Sequence, residues 1–261
     1  MANPFGTENM AAGYAMSRPP VHQIVVGRVH HELGRTEPFP LALDVGCGAG
    51  VSTRALRGFA TSYVGLEPNA SMLAWARKVA PSAIFMAGTA EAIPFRDHSV
   101  DVITAAGSLN YVNLDLFLTE AARVLNDGGV LVVYDFSPGR RFRDRPELEE
   151  WFSDFCHQYP QPANQAHELS PAILATASPR FYMQSHQEFE IGIPLAREFY
   201  VNYMLTETNV AAAVGRGVPL SEIASWCGET LETVWGPSER EVLFQGYFAC
   251  MKVHQQQRKD V

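Results

Sequence analysis

The most constraining stretch of this 261-residue chain is Leu41-Ala42-Leu43-Asp44-Val45-Gly46-Cys47-Gly48-Ala49-Gly50. An apolar run with one acid ends in three alternating glycines, and Val51 to Leu56 follows with helix-forming character, which reads as strand, tight turn and helix start. Glycine tolerates φ > 0 and lets a ligand press on bare backbone, while a helix N-terminus offers unpaired N–H groups. The spacing narrows the ligand. A dinucleotide fingerprint needs its third glycine where this chain has Val51, whereas here the run reads G-x-G-x-G. Taken alone, the loop fits a cofactor site and a merely tight turn equally well.

The next segments extend the pattern. Ser62 to Glu67 is a short apolar run ending in a carboxylate, about 20 residues past the glycines, where a doubly wound fold places the acid that binds ribose hydroxyls. Gly88-Thr89-Ala90-Glu91-Ala92-Ile93-Pro94-Phe95 follows an expected strand at Ala83 to Met86. Ser99 to Gly107 reads as a turn and a fourth strand, with Asp101 as a strand-start residue. Leu114, Phe117, Leu118, Ala121, Ala122 and Leu125 recur at helical spacing, and Arg123 to Phe136 then reads as a helix end, a glycine turn and a buried strand.

In this order and at this spacing, the glycine loop, the Glu67 strand, GTAEAIPF and VLNDGGVLVVYDF resemble the class I S-adenosylmethionine (SAM)-dependent methyltransferases, in the small-molecule branch. The resemblance runs from about Leu41 to Phe136. It implies an α/β fold, a doubly wound, seven-stranded, mostly parallel sheet with an antiparallel last strand, flanked by helices and carrying a helical lid insertion. It implies SAM as cofactor and S-adenosylhomocysteine (SAH) as product. Asp44, Gly46, Cys47, Gly48 and Gly50 would form the cofactor loop, Glu67 would hold the ribose, and Pro68 would pack on the adenine. The Ala90 backbone and the side chains of Thr89 or Glu91 would meet the adenine edge, and Ala106 and Gly107 would leave room for the methionine moiety. Many relatives carry Asp where this chain has Thr89, so the side-chain contact there is open while the backbone contact is unaffected.

Acceptor-facing candidates come from the same resemblance. A Y-x-x-x-R-P segment supplies Tyr14 and Arg18, the loop after the fourth strand supplies Asn110 and Tyr111, and a later helix supplies Phe199 and Tyr203. The bland reading of Tyr14 is an aromatic tucked against the core. A phenol or carbon acid would call for a general base, and His22, His157, His167 and His186 are available, with nothing in the sequence selecting one. Asp135 closes the fifth strand, but Phe136-Ser137-Pro138-Gly139 adds no further acid, so no metal is expected.

Composition bounds the rest. With 47% hydrophobic and 18% charged residues and a formal net charge of -8, the chain suits one soluble domain with a large core, or a core plus a lid. No stretch is long and apolar enough to cross a membrane, and Met1 to Gly6 lacks the character of a signal peptide, so a cytoplasmic location is expected. The acidic balance argues against nucleic acid. Cys47, Cys156, Cys227 and Cys250 form no CxxC pair, and Cys47 reads as a small side chain fitted into the loop.

The expected organisation is a single domain: a helical cap over 1–40, the cofactor-binding core over 41–136, a lid over 137–186, and sheet completion with a tail over 187–261. Thr7 to Gly34 has helical spacing, and Asn69 is placed to cap a helix over Ala70 to Val79. In the lid, Leu148, Trp151, Phe152, Phe155 and Cys156 mark an amphipathic helix, a loop follows with Pro160 and Pro162, and Ser170-Pro171 starts another helix. Phe189, Ile191 and Ile193 alternate as a strand, with Pro194 expected to open a helix to Leu205. A hairpin from about Glu232 is expected to bring Glu241 to Val253 into the sheet, before a frayed tail from His254. The activity expected is methyl transfer from SAM to a small organic acceptor. Other chemistry on the same sulfonium, or a binding module that keeps the fold, are the alternatives.

Overall fold

A computed structural model describes residues 8–161 and 166–254; Met1 to Gly6, Pro162 and the tail beyond His254 lie outside them. In chain order the first elements are α1 (Glu8–Met16), α2 (Val21–Glu32), β1 (Phe39–Val45), α3 (Val51–Ala55), β2 (Ala60–Glu67) and α4 (Ala70–Val79). Next come β3 (Ile84–Ala87), β4 (Val100–Ala106), α5 (Leu114–Val124), β5 (Leu125–Phe136), β6 (Arg141–Phe142) and α6 (Glu147–Gln158). The remainder is α7 (Pro171–Thr176), β7 (Phe181–Leu195), α8 (Arg197–Met204), α9 (Thr208–Gly215), α10 (Leu220–Trp235) and β8 (Arg240–Val253).

The described residues divide into two compact units, one made of residues 22–135, 166–188 and 247–254, the other of residues 8–21, 136–161 and 189–246. The stretch 137–186 therefore contributes to both. In the first, the sheet unit, strands run β3-β2-β1-β4-β5-β8. The β1/β2, β2/β3, β1/β4 and β4/β5 pairs are parallel. From β1 the chain goes first to one side, to β2, and later to the other, to β4, which makes the β1/β4 boundary the topological switch point where such sheets bind ligands beyond the strand carboxyl ends.

Aliphatic strand residues form the core. Leu43, Val45, Val64, Leu66, Ile103, Leu131 and Val133 pack with Phe117, Leu118 and Ala121 of α5, the helix whose apolar spacing the sequence shows. The Asn69 side chain accepts from the Ser71 and Met72 backbone N–H groups, so α4 begins at its expected cap. The β5 register against β4 jumps from Val100↔Leu125 to Val102↔Val130, so Asn126 to Gly129 bulge as the glycine turn, with Gly128 at φ 80. Among the described residues eight strands form the sheet where seven were expected, and β6 joins β8 antiparallel through Arg141↔Leu243 and Phe142↔Val242.

The second unit is mostly helical. Trp151, Phe155, Tyr200, Leu231 and Trp235 are buried on α6, α8 and α10. Two expectations fail here. Pro194 lies inside β7 at an exposed position, and α8 starts only at Arg197. The hairpin from Glu232 is absent: Ile223, Cys227, Leu231 and Trp235 keep helical spacing and bury, so α10 runs on to Trp235 and ends at Gly236, φ 73. Between α8 and α10, α9 forms where alanines favour a helix.

Candidate functional site

At the carboxyl end of β1 the backbone turns through Gly46 (φ 69), Gly48 (φ 52) and Gly50 (φ 82) before α3 begins. Each glycine answers a different demand. A methyl group on Gly50 would stand 2.9 Å from the Ala76 Cα, so α3 and α4 approach too closely for a side chain there. A methyl group on Gly46 would strike the Ser108 side chain, while one on Gly48 would meet nothing within 4 Å. Gly48 therefore presents bare backbone to open space, as a ligand-bearing glycine must.

Asp44 supports this turn from below. It is fully buried, and its oxygens accept from Ser52 Oγ (2.7 Å), Thr53 Oγ1 (2.6 Å) and Thr104 Oγ1 (2.9 Å). Burial pushes its carboxyl above the ordinary range, and the three hydroxyl donors oppose that shift. Asp44 thus braces the loop and the start of α3 against β4. Cys47 is buried beside it, and burial raises its thiol, so the side chain is the inert filler its size suggested.

Glu67 ends β2 within reach of the loop. Its Oε2 accepts from the Gly48 N–H at 3.1 Å and its Oε1 from the Asn69 N–H at 2.9 Å. Burial raises this carboxyl, with the two backbone donors opposing. Two oxygens offer about four acceptor directions, so two remain for ligand hydroxyls. Pro68 and Thr89 are exposed nearby, and Ala90 is buried. Glu91 accepts from the Asn113 N–H at 2.9 Å, tying the loop past β3 to the start of α5.

Past β4, Ala106 is half-buried and Gly107 turns at φ 60. Ser108, which the sequence did not single out, donates to the Val45 carbonyl at 2.8 Å and so fastens this loop to the glycine loop. Asn110 Nδ2 donates to Asp135 Oδ2 at 3.3 Å, and Tyr111 is 61% exposed. The residues immediately past the strands, 46–50, 67–69, 88–92, 107–113 and 135, carry Glu67, Glu91 and Asp135 and neither lysine nor arginine. That rim suits a cationic ligand and repels a pyrophosphate.

The remaining candidates fall on other elements. In the helical unit Arg18 sits 3.9 Å from the Tyr14 ring centroid and 5.0 Å from that of Tyr203, with Glu207 at 3.4 Å; Phe199 is half-buried on α8. The structure thus brings Tyr14, Arg18 and Tyr203 together around an ion pair. His22 Nδ1 lies 3.0 Å from the Tyr134 hydroxyl in the core, and His157, His167 and His186 are exposed. Among the described residues no group of three or more His, Cys, Asp or Glu side chains could hold a metal ion, and no helix is long and apolar enough to cross a membrane.

Residues 43–133, which contain this loop, Glu67 and the two tied loops, match the methyltransferase-domain family. Over this stretch the chain is similar to methyltransferase domains. The chain is 34% identical over 130 residues to phthiotriol/phenolphthiotriol dimycocerosates methyltransferase 1 of Mycobacterium ulcerans, covering 49% of this chain and 45% of that one. It is 41% identical over 103 residues to demethylmenaquinone methyltransferase of Tropheryma whipplei, covering 38% and 43%. The matched stretch thus spans less than half the length of these relatives. By fold, it resembles a proposed type II methyltransferase from Anaeromyxobacter dehalogenans at TM-score 0.63 and 23% identity, over 87% of this chain and 95% of that one. Asp135 lies just past the matched residues, and Tyr14, Arg18, Phe199 and Tyr203 lie well outside them.

Proposed function

We propose that this protein transfers a methyl group from S-adenosylmethionine to a small organic acceptor. The observation that carries the reading is the Glu67 carboxylate at the end of β2, bonded to the Gly48 N–H at 3.1 Å beside the β1/β4 switch point. The open backbone face of Gly48 and the acidic, cation-free rim fit a ligand that carries a sulfonium and a ribose. Bound there, SAM supplies an already activated methyl group on a positively charged sulfur.

The chain's own residues then have to position and enclose. Glu67 would accept from the ribose hydroxyls while its bonds to Gly48 and Asn69 keep it oriented. Pro68, Thr89, Ala90 and Glu91 would border the adenine, and Ala106 with Gly107 would admit the methionine moiety. Asn110 and Tyr111, on the loop that Ser108 fixes, would face the acceptor. Alignment of acceptor and methyl group in a site closed to water can supply roughly 7 to 11 kcal/mol, so no dedicated base is required. Relatives named as methyltransferases of phthiotriol and phenolphthiotriol dimycocerosates and of demethylmenaquinone support an organic-molecule acceptor.

The test is product analysis. Mixed with methyl-labelled SAM and a panel of phenols, amines and carbon acids, the protein should form SAH and one methylated acceptor in equal amounts. Consumption of SAM without SAH would contradict methyl transfer and point to other chemistry on the sulfonium.

A further inference from the structure

The loop between β4 and α5, which carries Asn110 and Tyr111, hangs between two pins. At one end Ser108 Oγ donates to the Val45 carbonyl at 2.8 Å, and at the other the Asn113 N–H donates to Glu91 Oε1 at 2.9 Å. Between the pins lies a single 3₁₀ turn over Leu109–Tyr111. Its own backbone bonds are long, 3.3 Å from the Tyr111 N–H to the Ser108 carbonyl and 3.4 Å from the Val112 N–H to the Leu109 carbonyl. The turn's shape therefore comes from its ends and from Asn110, which donates to Asp135 Oδ2 at 3.3 Å and accepts from the His167 N–H at 2.8 Å.

The Glu91 pin is itself anchored. The Ile93 N–H donates to Glu120 Oε2 on α5 at 2.9 Å, and Arg123, paired with Glu120, donates to the Ile93 carbonyl at 2.9 Å and the Phe95 carbonyl at 2.8 Å. At the other end of this stretch the Gly88 N–H donates to the Glu67 carbonyl at 3.4 Å. Asn113 in turn caps α5, its Oδ1 accepting from the Leu116 N–H at 3.1 Å. A continuous path thus runs from Glu67 through Gly88 and Glu91 to Asn113 and the turn before it.

We infer that Glu91 is a positioning residue that joins the loop at the adenine edge to the loop carrying Asn110 and Tyr111, so that cofactor on the first orders the second. The inference rests on the proposed cofactor reading. A bound adenine stills residues 88–91, and the bond from Asn113 to the carboxylate passes that restraint to a turn with little of its own. Glu91 acts through Asn113 and needs no contact with cofactor or acceptor.

Hydrogen exchange over 46–50 and 109–113, with and without SAH, together with calorimetric titration by SAH, tests this in the wild-type protein, Glu91→Ala and Glu91→Gln. In the wild type, SAH should slow exchange about tenfold over both segments. Glu91→Ala should keep the slowing over 46–50 and lose most of it over 109–113. Exchange follows the rare opening of the turn whereas affinity follows its closed form, so SAH affinity should change by less than about threefold. Glu91→Gln, whose amide oxygen still accepts from Asn113, should behave as the wild type. Slowing over 109–113 that persists in Glu91→Ala would overturn the inference, as would its absence in a wild-type protein that binds SAH. A loss of SAH affinity of about tenfold or more in both variants would make Glu91 a direct cofactor contact and overturn it as well. A wild-type protein that binds neither SAM nor SAH would instead overturn the cofactor reading on which the inference rests.

Discussion

The sheet unit packs aliphatic strands around a buried carboxylate held by three hydroxyls, whereas the helical unit packs aromatic rings around a buried ion pair. In the first, Asp44 is satisfied by Ser52, Thr53 and Thr104, all on β4 or at the start of α3, and the result is a fixed loop. In the second, Trp151 stacks on Phe155 at 5.2 Å, Tyr200 meets Trp235 at 5.0 Å, and Arg18 pairs with Glu207 beside two tyrosines. Burial raises the Glu207 carboxyl, with Arg18 and then Arg140 opposing. The difference teaches where geometry is spent. The sheet unit spends hydrogen bonds on the backbone path of a glycine turn, where each φ matters. The helical unit gains stability from ring area, which tolerates variation in path.

The largest effect expected from this contrast is in the helical unit. Trp235 is fully buried, with Phe142 and Tyr200 each 5.0 Å away, so Trp235→Ala should cost about 3–5 kcal/mol in denaturant unfolding. Cofactor affinity, measured where the fold is intact, should change by less than about threefold; a large loss would break the division between the units. Next comes Gly50→Ala, which places a methyl group 2.9 Å from the Ala76 Cα at φ 82 and should cost about 2–4 kcal/mol of stability, together with SAM binding. Retained affinity and melting temperature would show that the turn has slack. Glu67→Ala should leave melting little changed and weaken SAM by about 1–3 kcal/mol, the cost of one lost buried hydrogen-bonding group.

Smaller effects sharpen the picture. Arg123 donates to Glu120, Asp97 and the Ile93 and Phe95 carbonyls, and its bond to Glu120, helped by the Ile93 N–H, holds the Glu120 carboxyl below its ordinary range. A depressed carboxyl contributes stability that is present above its unfolded pKa and lost as pH falls through the folded value. Acid titration of unfolding should therefore lose about 1 kcal/mol or less from this half-exposed clamp, and Arg123→Ala should remove that dependence. Smallest, Gly228 sits inside α10 with nothing within 4 Å of where its Cβ would be, so Gly228→Ala should raise stability by about 0.5–1 kcal/mol. The same change is thus harmful at Gly50 and helpful at Gly228.

The contrast also explains what was legible in the sequence. Alternating glycines, the Asn69 cap and the apolar spacing of α5 are local signals, and each stands in the structure where the sequence puts it. Pro194 misled because a proline that often opens a helix here occupies an exposed strand position whose missing N–H costs nothing visible in sequence. The end of α10 was missed because the Trp235 that extends it is fixed by Phe142 and Tyr200, partners distant along the chain. Ser108 shares that fate, because its role comes from contact with Gly46 and a fit between loops leaves no periodic trace.

The account stands or falls on what the glycine loop holds. Calorimetric titration of the purified wild-type protein with SAM, SAH and NAD should show micromolar binding of both sulfur ligands and none of NAD. Binding of NAD in their place would contradict the reading of Gly46, Gly48 and Glu67 as a site for a sulfonium cofactor.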